Sequence, residues 1–479
     1  MKLECGRPCV LATVGALWIL LNAANAASPL NPASNPVYIT HVTVIDTRTG
    51  KEAQGRTVVI SGDRIQEVSE SKGVKPRVGG KIVDGAGRYL IPGLWDMHVH
   101  VTRFASTYPL YLANGVTGVR DMSGHPDANK FRAELAAKNI DAPHIYLSSP
   151  IFEGPPPRAW LEWIMVSTPD EARKAVDEQK LKGADFIKIL NRLSREVYFA
   201  IIDESRRQNI PVAGHVPFSI TAWEAAAAHQ RTFEHLYGIP LACSSREEEL
   251  WAKWVVAAST AERLRLISEG VHSYSNRKCE RLFAHLIRNG VWQVPTLVII
   301  RDFGLLEDPQ FPQEDRSRYF GRELKGWFTL NDDFRFRKLT AEDFAVFREL
   351  YLYDQKVLSA MFRAGVPILA GTDTVTPYCV PGFCLHEELA LMVESGVTPL
   401  GVLQAATWNA ARFMGSSDKY GAVAPGKIAD LVLLDADPLV DIHNTTKVSA
   451  VFLAGKYFDR TALDQMLKDA EVAAADSVK

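Results

Sequence analysis

Hydrophobic and polar positions alternate at the two ends of the chain, whereas the middle carries continuous apolar runs separated by stretches of helical character. The alternating segments are VYITHVTVIDTRTG, RTVVISGDRIQEVSE and KIVDGAGRYLIPG near the N-terminus, and GAVAPGKIADLVLLDADPL and VSAVFLAGKYFD near the C-terminus. Alternation of this kind between turn signals is typical of short antiparallel strands. The pattern therefore predicts one small β domain assembled from both ends, residues 37–91 and 421–461.

The middle of the chain, residues 92–420, contains eight apolar strand candidates. They are GLWDMHVHV, GVTGVRDM, PHIYLSS, DFIKIL, PVAGHV, TFEHLY, VWQVPTLVI and VPILAGTD. Helix starts lie between them: TPDE from Thr168 combines an N-cap, a first-turn proline and a capping-box glutamate, and Ser194 and Thr398 are further starts. Eight β/α alternations predict an α/β fold, a (β/α)8 TIM barrel. A doubly wound open sheet is the alternative, but its Gly-rich fingerprint after the first strand is absent.

Two stretches exceed normal barrel loops. Residues 244–290 are helical and charged, and residues 301–355 are rich in Phe, Asp and Arg. Long insertions of this kind are often lids or binding elements. Residues 462–479 are predicted to form a short exposed helical tail.

The N-terminal residues 1–26 have the features of a cleavable secretory signal. Two basic residues precede a short apolar stretch that ends in Ala24-Asn25-Ala26, and residues 27–36 form a Pro- and Asn-rich linker. The apolar stretch is shorter than the roughly 20 residues a membrane span needs, so an uncleaved anchor is the weaker alternative. We therefore expect a secreted or periplasmic protein with no stable membrane span after signal removal.

The composition is that of an ordinary globular protein. The chain of 479 residues is 47% hydrophobic and has a formal net charge of −2, and it lacks the basic blocks and aromatic series of nucleic-acid-binding proteins. Of the cysteines beyond the signal, Cys379 and Cys384 flank the turn-forming VPGF, which favours a disulfide between them. The alternative is that Cys243, Cys279 and this pair are all free thiols.

Polar side chains mark the ends of five predicted barrel strands. They are His98, His100, Lys188, His215, His235 and Asp373. A barrel gathers the carboxyl ends of its strands at one mouth, where its enzymes place their chemistry. Imidazole nitrogen and carboxylate oxygen suit Zn²⁺ and neighbouring ions, and this set exceeds what one tetrahedral metal needs. The residues thus predict a centre of two divalent metal ions, with Zn²⁺ as the expected metal.

Lys188 needs a separate explanation, because a bare ammonium among two dications would be strongly repelled. The amine must be neutral, or CO2 must convert it into a carbamate, an anionic ligand that bridges both metals. Other catalytic signatures are absent: HEELA from His386 lacks the second histidine of a zincin helix, and there is no G-x-S-x-G, P-loop or G-x-G-x-x-G.

The motifs PGLWDMHVH, GADFIKIL, VAGHV, FEHLYG and AGTDT, together with the segment from LHEELALMVESG to GKIADLVLLDADPL, resemble the amidohydrolase superfamily, specifically its secreted prolidase-like and imidazolonepropionase-like branch. The resemblance covers nearly all of the chain beyond the signal. It implies a (β/α)8 barrel with a small β-sandwich domain built from the N- and C-terminal segments. It also implies hydrolysis of an amide or related bond by a metal-bridging hydroxide.

The resemblance assigns roles to single residues. One metal would be held by His98, His100 and Asp373, the other by His215 and His235, with carbamylated Lys188 as the bridge. Asp373 would also be catalytic, taking a proton from the hydroxide and delivering it to the leaving amine.

Further residues are predicted to contact the substrate. Tyr237 resembles the substrate-contacting tyrosine of the family. His144 and Arg120 end the third and second predicted strands, where each could support the site or contact substrate. Arg158, on a Pro-rich loop, could hold a substrate carboxylate. His386 begins the HEEL helix after the eighth predicted strand, where we expect a structural role.

The leading functional hypothesis is a metal-dependent amidohydrolase that cleaves a dipeptide, for example of Xaa-Pro type, or an N-acyl amino acid. A lactonase, an esterase or a cyclic-amide hydrolase with the same centre is the first alternative, and a non-catalytic metal- or ligand-binding barrel is the second. The expected partner is a small molecule or dipeptide. The oligomeric state stays open, a homo-oligomer included.

Overall fold

The computed structural model describes residues 35–101, 105–156, 162–308, 316–321, 336, 338–376 and 378–476. The strands within these ranges are β1 (Val37–Asp46), β2 (Lys51–Ser61), β3 (Arg64–Glu70), β4 (Lys81–Asp84), β5 (Tyr89–Pro92), β6 (Leu94–Val99), β7 (Val116–Asp121), β8 (His144–Leu147), β9 (Phe152–Glu153), β10 (Ile164–Met165), β11 (Ile187–Ile189), β12 (Val212–Gly214), β13 (Thr232–Glu234), β14 (Trp292–Val294), β15 (Leu431–Leu434), β16 (Val448–Leu453) and β17 (Lys456–Asp459). The α-helices are α1 (Tyr108–Ala113), α2 (Ala128–Lys138), α3 (Pro169–Leu181), α4 (Arg195–Arg207), α5 (Ala222–Ala227), α6 (Ile239–Ala242), α7 (Glu247–Trp254), α8 (Thr260–His272), α9 (Asn276–Arg288), α10 (Leu297–Leu305), α11 (Ala341–Ala364), α12 (Phe383–Glu394), α13 (Pro399–Ala405), α14 (Trp408–Phe413) and α15 (Arg460–Asp476).

The alternating segments of both chain ends pair in one eight-stranded sheet. Its order is β17-β16-β15-β5-β1-β2-β3, with β4 added parallel to β1. The two ends meet where β5 pairs antiparallel with β15, Leu90 opposite Leu433. A bridge from Arg64 to Ile428 curls the sheet back on itself over a core of its own apolar side chains. The ends therefore share a sheet, as the alternation predicts; its division into the two layers of a sandwich and the exact domain limits stay predictions.

The middle of the chain forms a ring of parallel pairings. Strands β6, β7 and β8 pair in parallel, and so do β11, β12, β13 and β14. A parallel bridge from Ser148 to Phe186 joins the two groups directly. Parallel bridges from Gln293 to Ile368 and from Val99 to Thr374 join their other ends through an eighth segment. Every residue of β6 and β7 is buried, as expected for strands covered on both faces. The arrangement is a TIM-barrel-type fold of mixed α/β content, and each predicted strand segment contributes to it.

Local sequence determines where the barrel helices begin. Thr168 caps α3 and forms a capping box with Glu171, Ser194 caps α4 and Thr398 caps α13, which confirms the three predicted starts. One boundary prediction is wrong: VWQVPTLVI is a strand only as far as Val294, and α10 begins three residues later. The apolar residues of α10 are buried on several sides, so hydrophobicity alone does not distinguish them from a strand.

The first long insertion is helical, as predicted, and consists of α7, α8 and α9. The second is described only in part, and α11 occupies its C-terminal portion. The tail helix begins two residues earlier than predicted, as α15. The predicted signal and nearly all of the linker lie outside the described residues. Among those that are described, no helix has the length and hydrophobicity that a membrane crossing requires.

The cysteine pairing differs from the expectation. Cys243 and Cys279 form a disulfide, with Cα atoms 4.6 Å apart, whereas Cys379 and Cys384 are buried free thiols. Cys243 follows α6 and Cys279 lies on α9, so tertiary packing brings them together across 36 residues. The Sγ of Cys379 instead lies 3.7 Å from the carbonyl of Thr372. Closeness in the sequence therefore does not identify which cysteines form the disulfide.

We expect the disulfide to be measurable as stability. The double variant Cys243→Ser/Cys279→Ser should lower the free energy of unfolding by about 3–4 kcal/mol, because the bond closes a loop of about 36 residues in the unfolded chain. Denaturant titration with and without reductant measures this: reductant should destabilise the native protein and leave the double variant unchanged. The control Cys379→Ala should keep its sensitivity to reductant. Peptide mapping of unreduced protein that finds Cys243 and Cys279 unlinked would contradict the assignment.

Candidate metal centre

The barrel brings the predicted metal ligands to one end of its strands. They are His98, His100, Lys188, His215, His235 and Asp373. His215 and His235 directly follow β12 and β13, and Asp373 lies in the eighth parallel segment. Because parallel strands of a barrel end at a common mouth, residues far apart in sequence converge there.

Asp373 lies at the centre of this group. Its Oδ1 atom is 3.1 Å from Nε2 of His98 and 2.9 Å from Nε2 of His100. His98, His235 and Asp373 each place a potential ligand atom in this group, and these three atoms lie within 4.8 Å of one another. The ring of His235 is centred 4.8 Å from that of His98 and 4.9 Å from that of His215. Lys188 is fully buried and lines the same cavity as His100, His215 and His235.

Each histidine of the cluster is held through its Nδ1 atom. The partners, with their distances, are Glu234 Oε2 for His98 (2.8 Å), Ser123 Oγ for His100 (2.6 Å), Asn191 Oδ1 for His215 (2.7 Å) and Thr296 Oγ1 for His235 (2.7 Å). Glu234 and Asn191 offer oxygen acceptors, and the Thr296 hydroxyl already donates to the carbonyl of Pro295, so these three imidazoles donate from Nδ1. Their Nε2 atoms therefore carry lone pairs, which is the state in which imidazole binds a metal.

The free atoms of the cluster fit a cation. Nε2 of His98 and Nζ of Lys188 are buried and make no hydrogen bond to any described residue. The lone pair of His98 Nε2 faces a carboxylate oxygen of Asp373 at 3.1 Å. Two electron-rich atoms in that position repel each other unless positive charge lies between them. The donor set of His98, His235 and Asp373 thus fits positive charge among its atoms, with His100 and His215 beside it.

The electrostatics of the pocket follow from burial and from its charges. Burial lowers the pKa of Lys188 to about 8 and that of His235 to about 3. Burial, assisted by Lys188 and His235, also holds the pKa of His215 well below its usual value. Burial alone would raise the pKa of Asp373, but the neighbouring His235 and His98 keep it well below the ordinary range. His215 and His235 are thus neutral and Asp373 is ionised near neutral pH, as metal ligands need to be.

A buried carboxylate that the sequence did not reveal supports the cluster. Glu234 accepts hydrogen bonds from Nδ1 of His98 and, at 2.8 and 2.9 Å, from Nη2 of Arg120. Glu234 and His235 are neighbours and would point to opposite faces of a strand. The chain leaves the extended conformation at His235, whose φ is 56°, and Asp373 has a similar φ of 58°. These left-handed conformations let consecutive side chains serve the same site.

Predicted substrate contacts divide into three groups. Tyr237 lines the cavity, with its ring centred 4.5 Å from that of His215. The expectation for His144 is wrong in its placement: β8 begins rather than ends at this residue, so it lies at the opposite strand end, where its Nε2 is 2.9 Å from Asp430. Arg120 is buried on Glu234 and supports the site instead of contacting substrate. Arg158 lies outside the described residues.

Two further residues clarify the surroundings. His386 is structural, since its ring contacts the hydroxyl of Thr445 and the carbonyl of Asn114.

Arg192 lines the cavity four residues beyond Lys188, and its Nε donates to Glu153 at 3.2 Å. Nη2 of Arg192 is buried and has no hydrogen-bond partner in the described part of the chain. Arg192 lies in a loop outside every motif, so no signal in the sequence marks it as a site residue.

The cavity above the cluster has a volume of about 610 Å³. His100, Lys188, His215, His235 and Asp373 line one part of it. A cavity of this size accommodates a small organic ligand, and polar groups that converge in a largely apolar pocket are the usual form of a catalytic site.

Comparison with known proteins agrees with this geometry. Residues 354–458 match the model of the amidohydrolase family. The chain is 24% identical to an ochratoxinase from Aspergillus niger over 447 residues, which covers 80% of this chain and 78% of that protein. A bottromycin amidohydrolase structure superposes with a TM-score of 0.72 at 24% identity, covering 91% of this chain and 90% of the other. A putative prolidase from Bifidobacterium longum superposes with a TM-score of 0.65 at 23% identity over 91% and 99% of the two chains.

The chain has a TIM-barrel-type fold with a His/His/Asp cluster suited to a metal ion. The chain carries an amidohydrolase family domain over residues 354–458, and its relatives support the predicted amidohydrolase superfamily and a hydrolase that acts on amide bonds. Divalent metals are typical of this family.

The hydrogen bond between His235 and Thr296 should contribute to metal affinity. Thr296→Val keeps the shape of the side chain but removes the acceptor that fixes the tautomer of His235. We expect about 10- to 100-fold weaker metal binding, measured by competition with a chelator of known affinity. Thr117→Val is the matched control, since the buried Oγ1 of Thr117 has no partner among the described residues. Equal metal affinities in the two variants would contradict this role of Thr296.

Proposed function

We propose that the protein hydrolyses the amide bond of a dipeptide, with Xaa-Pro as one candidate, or of an N-acyl amino acid, with two divalent metal ions, Zn²⁺ in the first instance. One observation carries this proposal: His100, His215, His235, Asp373 and the buried Lys188 line one cavity, and His98 lies against Asp373. The donor set is larger than one tetrahedral ion requires.

The residues divide between two metal positions. His98, His100 and Asp373 would hold one ion, and His215 and His235 the other. Lys188, as a carbamate formed by its neutral amine and CO2 with release of a proton, would bridge them. Its burial and the lack of a hydrogen-bond partner for Nζ among the described residues favour this assignment. An unmodified ammonium there would be repelled by both ions.

When bound, the metal ions would supply an activated water molecule and polarise the scissile carbonyl. The side chains transfer the proton and orient the substrate. The carboxylate of Asp373 accepts the proton of the attacking water and delivers it to the nitrogen of the leaving amine, which otherwise leaves poorly. Tyr237, beside His215, is placed to orient the substrate over the cluster.

The carboxylate of an amino-acid substrate would find a donor in Arg192. Glu153, which is 2% exposed, holds the Nε edge of this guanidinium, and Nη2 remains available beside the cluster. A guanidinium whose orientation is fixed by one carboxylate binds a second acceptor at low entropic cost. Arg158 remains a further candidate for this contact.

We also propose that the protein is exported to the periplasm or the extracellular medium. The N-terminal residues 1–26 have the features of a secretory signal. The disulfide between Cys243 and Cys279 supports this location, because such bonds persist in oxidising compartments.

A substrate panel tests the activity. Purified protein should hydrolyse members of a set of Xaa-Pro dipeptides and N-acyl amino acids, lose the activity on chelation and regain it with Zn²⁺.

Asp373→Asn should lower kcat by about 10²- to 10⁴-fold, because proton transfer to the leaving amine is lost. Asp203→Asn, on the exposed surface of α4, is the matched control. Faster cleavage of lactones or esters than of every amide would favour the alternative chemistry, and inertness towards the whole panel would favour a non-catalytic barrel.

The bridging role of Lys188 has its own test. Lys188→Ala should lose both metals, as measured by elemental analysis after dialysis, whereas Lys180→Ala on the exposed face of α3 should keep them. Protein exchanged into ¹³C-bicarbonate should show a carbamate signal by NMR that the Lys188→Ala variant lacks. Full metal occupancy in that variant would show that the lysine is not a bridge.

A further inference from the structure

The cavity extends beyond the metal cluster into a region lined by apolar side chains. We call this region the apolar compartment and define it by Phe218, Trp251, Trp254, Leu264, Ile267 and Phe347. The insertion helices α7, α8 and α11 supply five of these residues, and the loop after β12 supplies the sixth. Insertions into the barrel, not the barrel itself, thus build most of the compartment.

The compartment adjoins the cluster directly. Phe218 lies three residues beyond His215, and its backbone N–H donates to the carbonyl of Asn191, whose side chain holds His215. On the other side, α10 begins immediately after Thr296, the partner of His235, and its Ile299 and Ile300 also line the cavity. The segments that orient two metal histidines therefore continue into the walls around the compartment.

The walls are packed from behind and so keep their shape. Trp254, Leu264 and Ile267 belong to the main hydrophobic core and are less than 10% exposed. The rings of Phe218 and Trp254 meet edge to face at 5.5 Å, and the guanidinium of Arg263 covers the Phe218 ring at 3.9 Å. A preformed apolar wall that faces a cavity gains stability when a ligand displaces water from it.

The size of the cavity also exceeds what a small dipeptide requires. At about 610 Å³ it is in the range that holds ligands of drug size. A dipeptide of two small residues, with its scissile bond at the cluster, would leave the apolar compartment filled with water. A substrate with a large apolar group would occupy it.

We infer that the apolar compartment binds a bulky aromatic or long aliphatic group attached to the scissile amide, so that the enzyme acts on amides of large apolar acids or amines in preference to small dipeptides. This inference rests on the proposed amide hydrolysis and specifies its substrate class. Selectivity then resides in α7, α8 and α11, whereas the cluster supplies the chemistry.

Size series of substrates test the inference. The acyl series is acetyl-, hexanoyl-, decanoyl- and naphthoyl-proline, and the amine series joins acetate to amino acids of increasing apolar size. The value of kcat/KM should rise by about fourfold per buried methylene in one of the two series until the compartment is full. A flat response in both series, with the small members cleaved equally well, overturns the inference and leaves the proposed function intact.

Variants locate the effect. Phe347→Asp places a charge in the compartment and should reduce the ratio of kcat/KM between the largest and smallest substrates at least about tenfold. Leu352→Asp, at a 65%-exposed position on the same helix, is the matched control and should leave the ratio unchanged. Trp251→Gln provides a second variant should Phe347→Asp fail to fold. An unchanged ratio in folded Phe347→Asp or Trp251→Gln protein overturns the inference.

A binding measurement separates the two proposals. Calorimetric titration of the metal-free protein with decanoate should give binding that acetate does not show, and Phe347→Asp should weaken it at least about tenfold, on the same grounds. Absence of decanoate binding overturns the inference independently of catalysis. If decanoate binds but no amide of either series is hydrolysed by the metal-loaded enzyme, the proposed function fails while the compartment stands.

Discussion

The structure depends on an electrostatic constraint at the mouth of the barrel. Imidazole lone pairs and an ionised carboxylate point at one small volume, with Nε2 of His98 only 3.1 Å from Oδ1 of Asp373. Such a concentration of electron-rich atoms is unfavourable without a positive charge among them. Packing must therefore hold these groups in place against their repulsion, and the hydrogen bonds behind them do so: Glu234 fixes His98, and Thr296 fixes His235.

The support for the cluster extends well beyond the ligands. Arg120 is fully buried and neutralises Glu234, which in turn orients His98, so the ion pair and this hydrogen bond together connect three strands of the barrel. Truncating either partner of such a pair would leave an uncompensated buried charge. Left-handed backbone at His235 and Asp373 adds local strain that the closed ring of parallel strands must absorb. The cluster is thus stabilised by the barrel and not by its own local structure.

Sequence and structure agree best where the signal is local or periodic. The alternation at both chain ends, the eight apolar segments and the helix caps at Thr168, Ser194 and Thr398 were all predictable, because each depends on neighbouring residues. The convergence of the six cluster residues was predictable as well, since it needs only the rule that strands of a barrel end together. The pairing of Cys243 with Cys279 was not predictable, because the packing of helices decides it. The position of His144 was not predictable either, because it depends on where β8 begins.

The sequence by itself determined the order of strands and helices, the resemblance to a family and the choice of candidate cluster residues. Only the tertiary structure decided which nitrogen of each imidazole faces inward, what holds Lys188 in a pocket without a hydrogen-bond partner among the described residues, and how the insertion helices shape the cavity. The physical reason is the range of the interactions. Periodicity and capping act over a few residues, whereas burial, tautomer choice and cavity shape arise from contacts between segments that are distant along the chain.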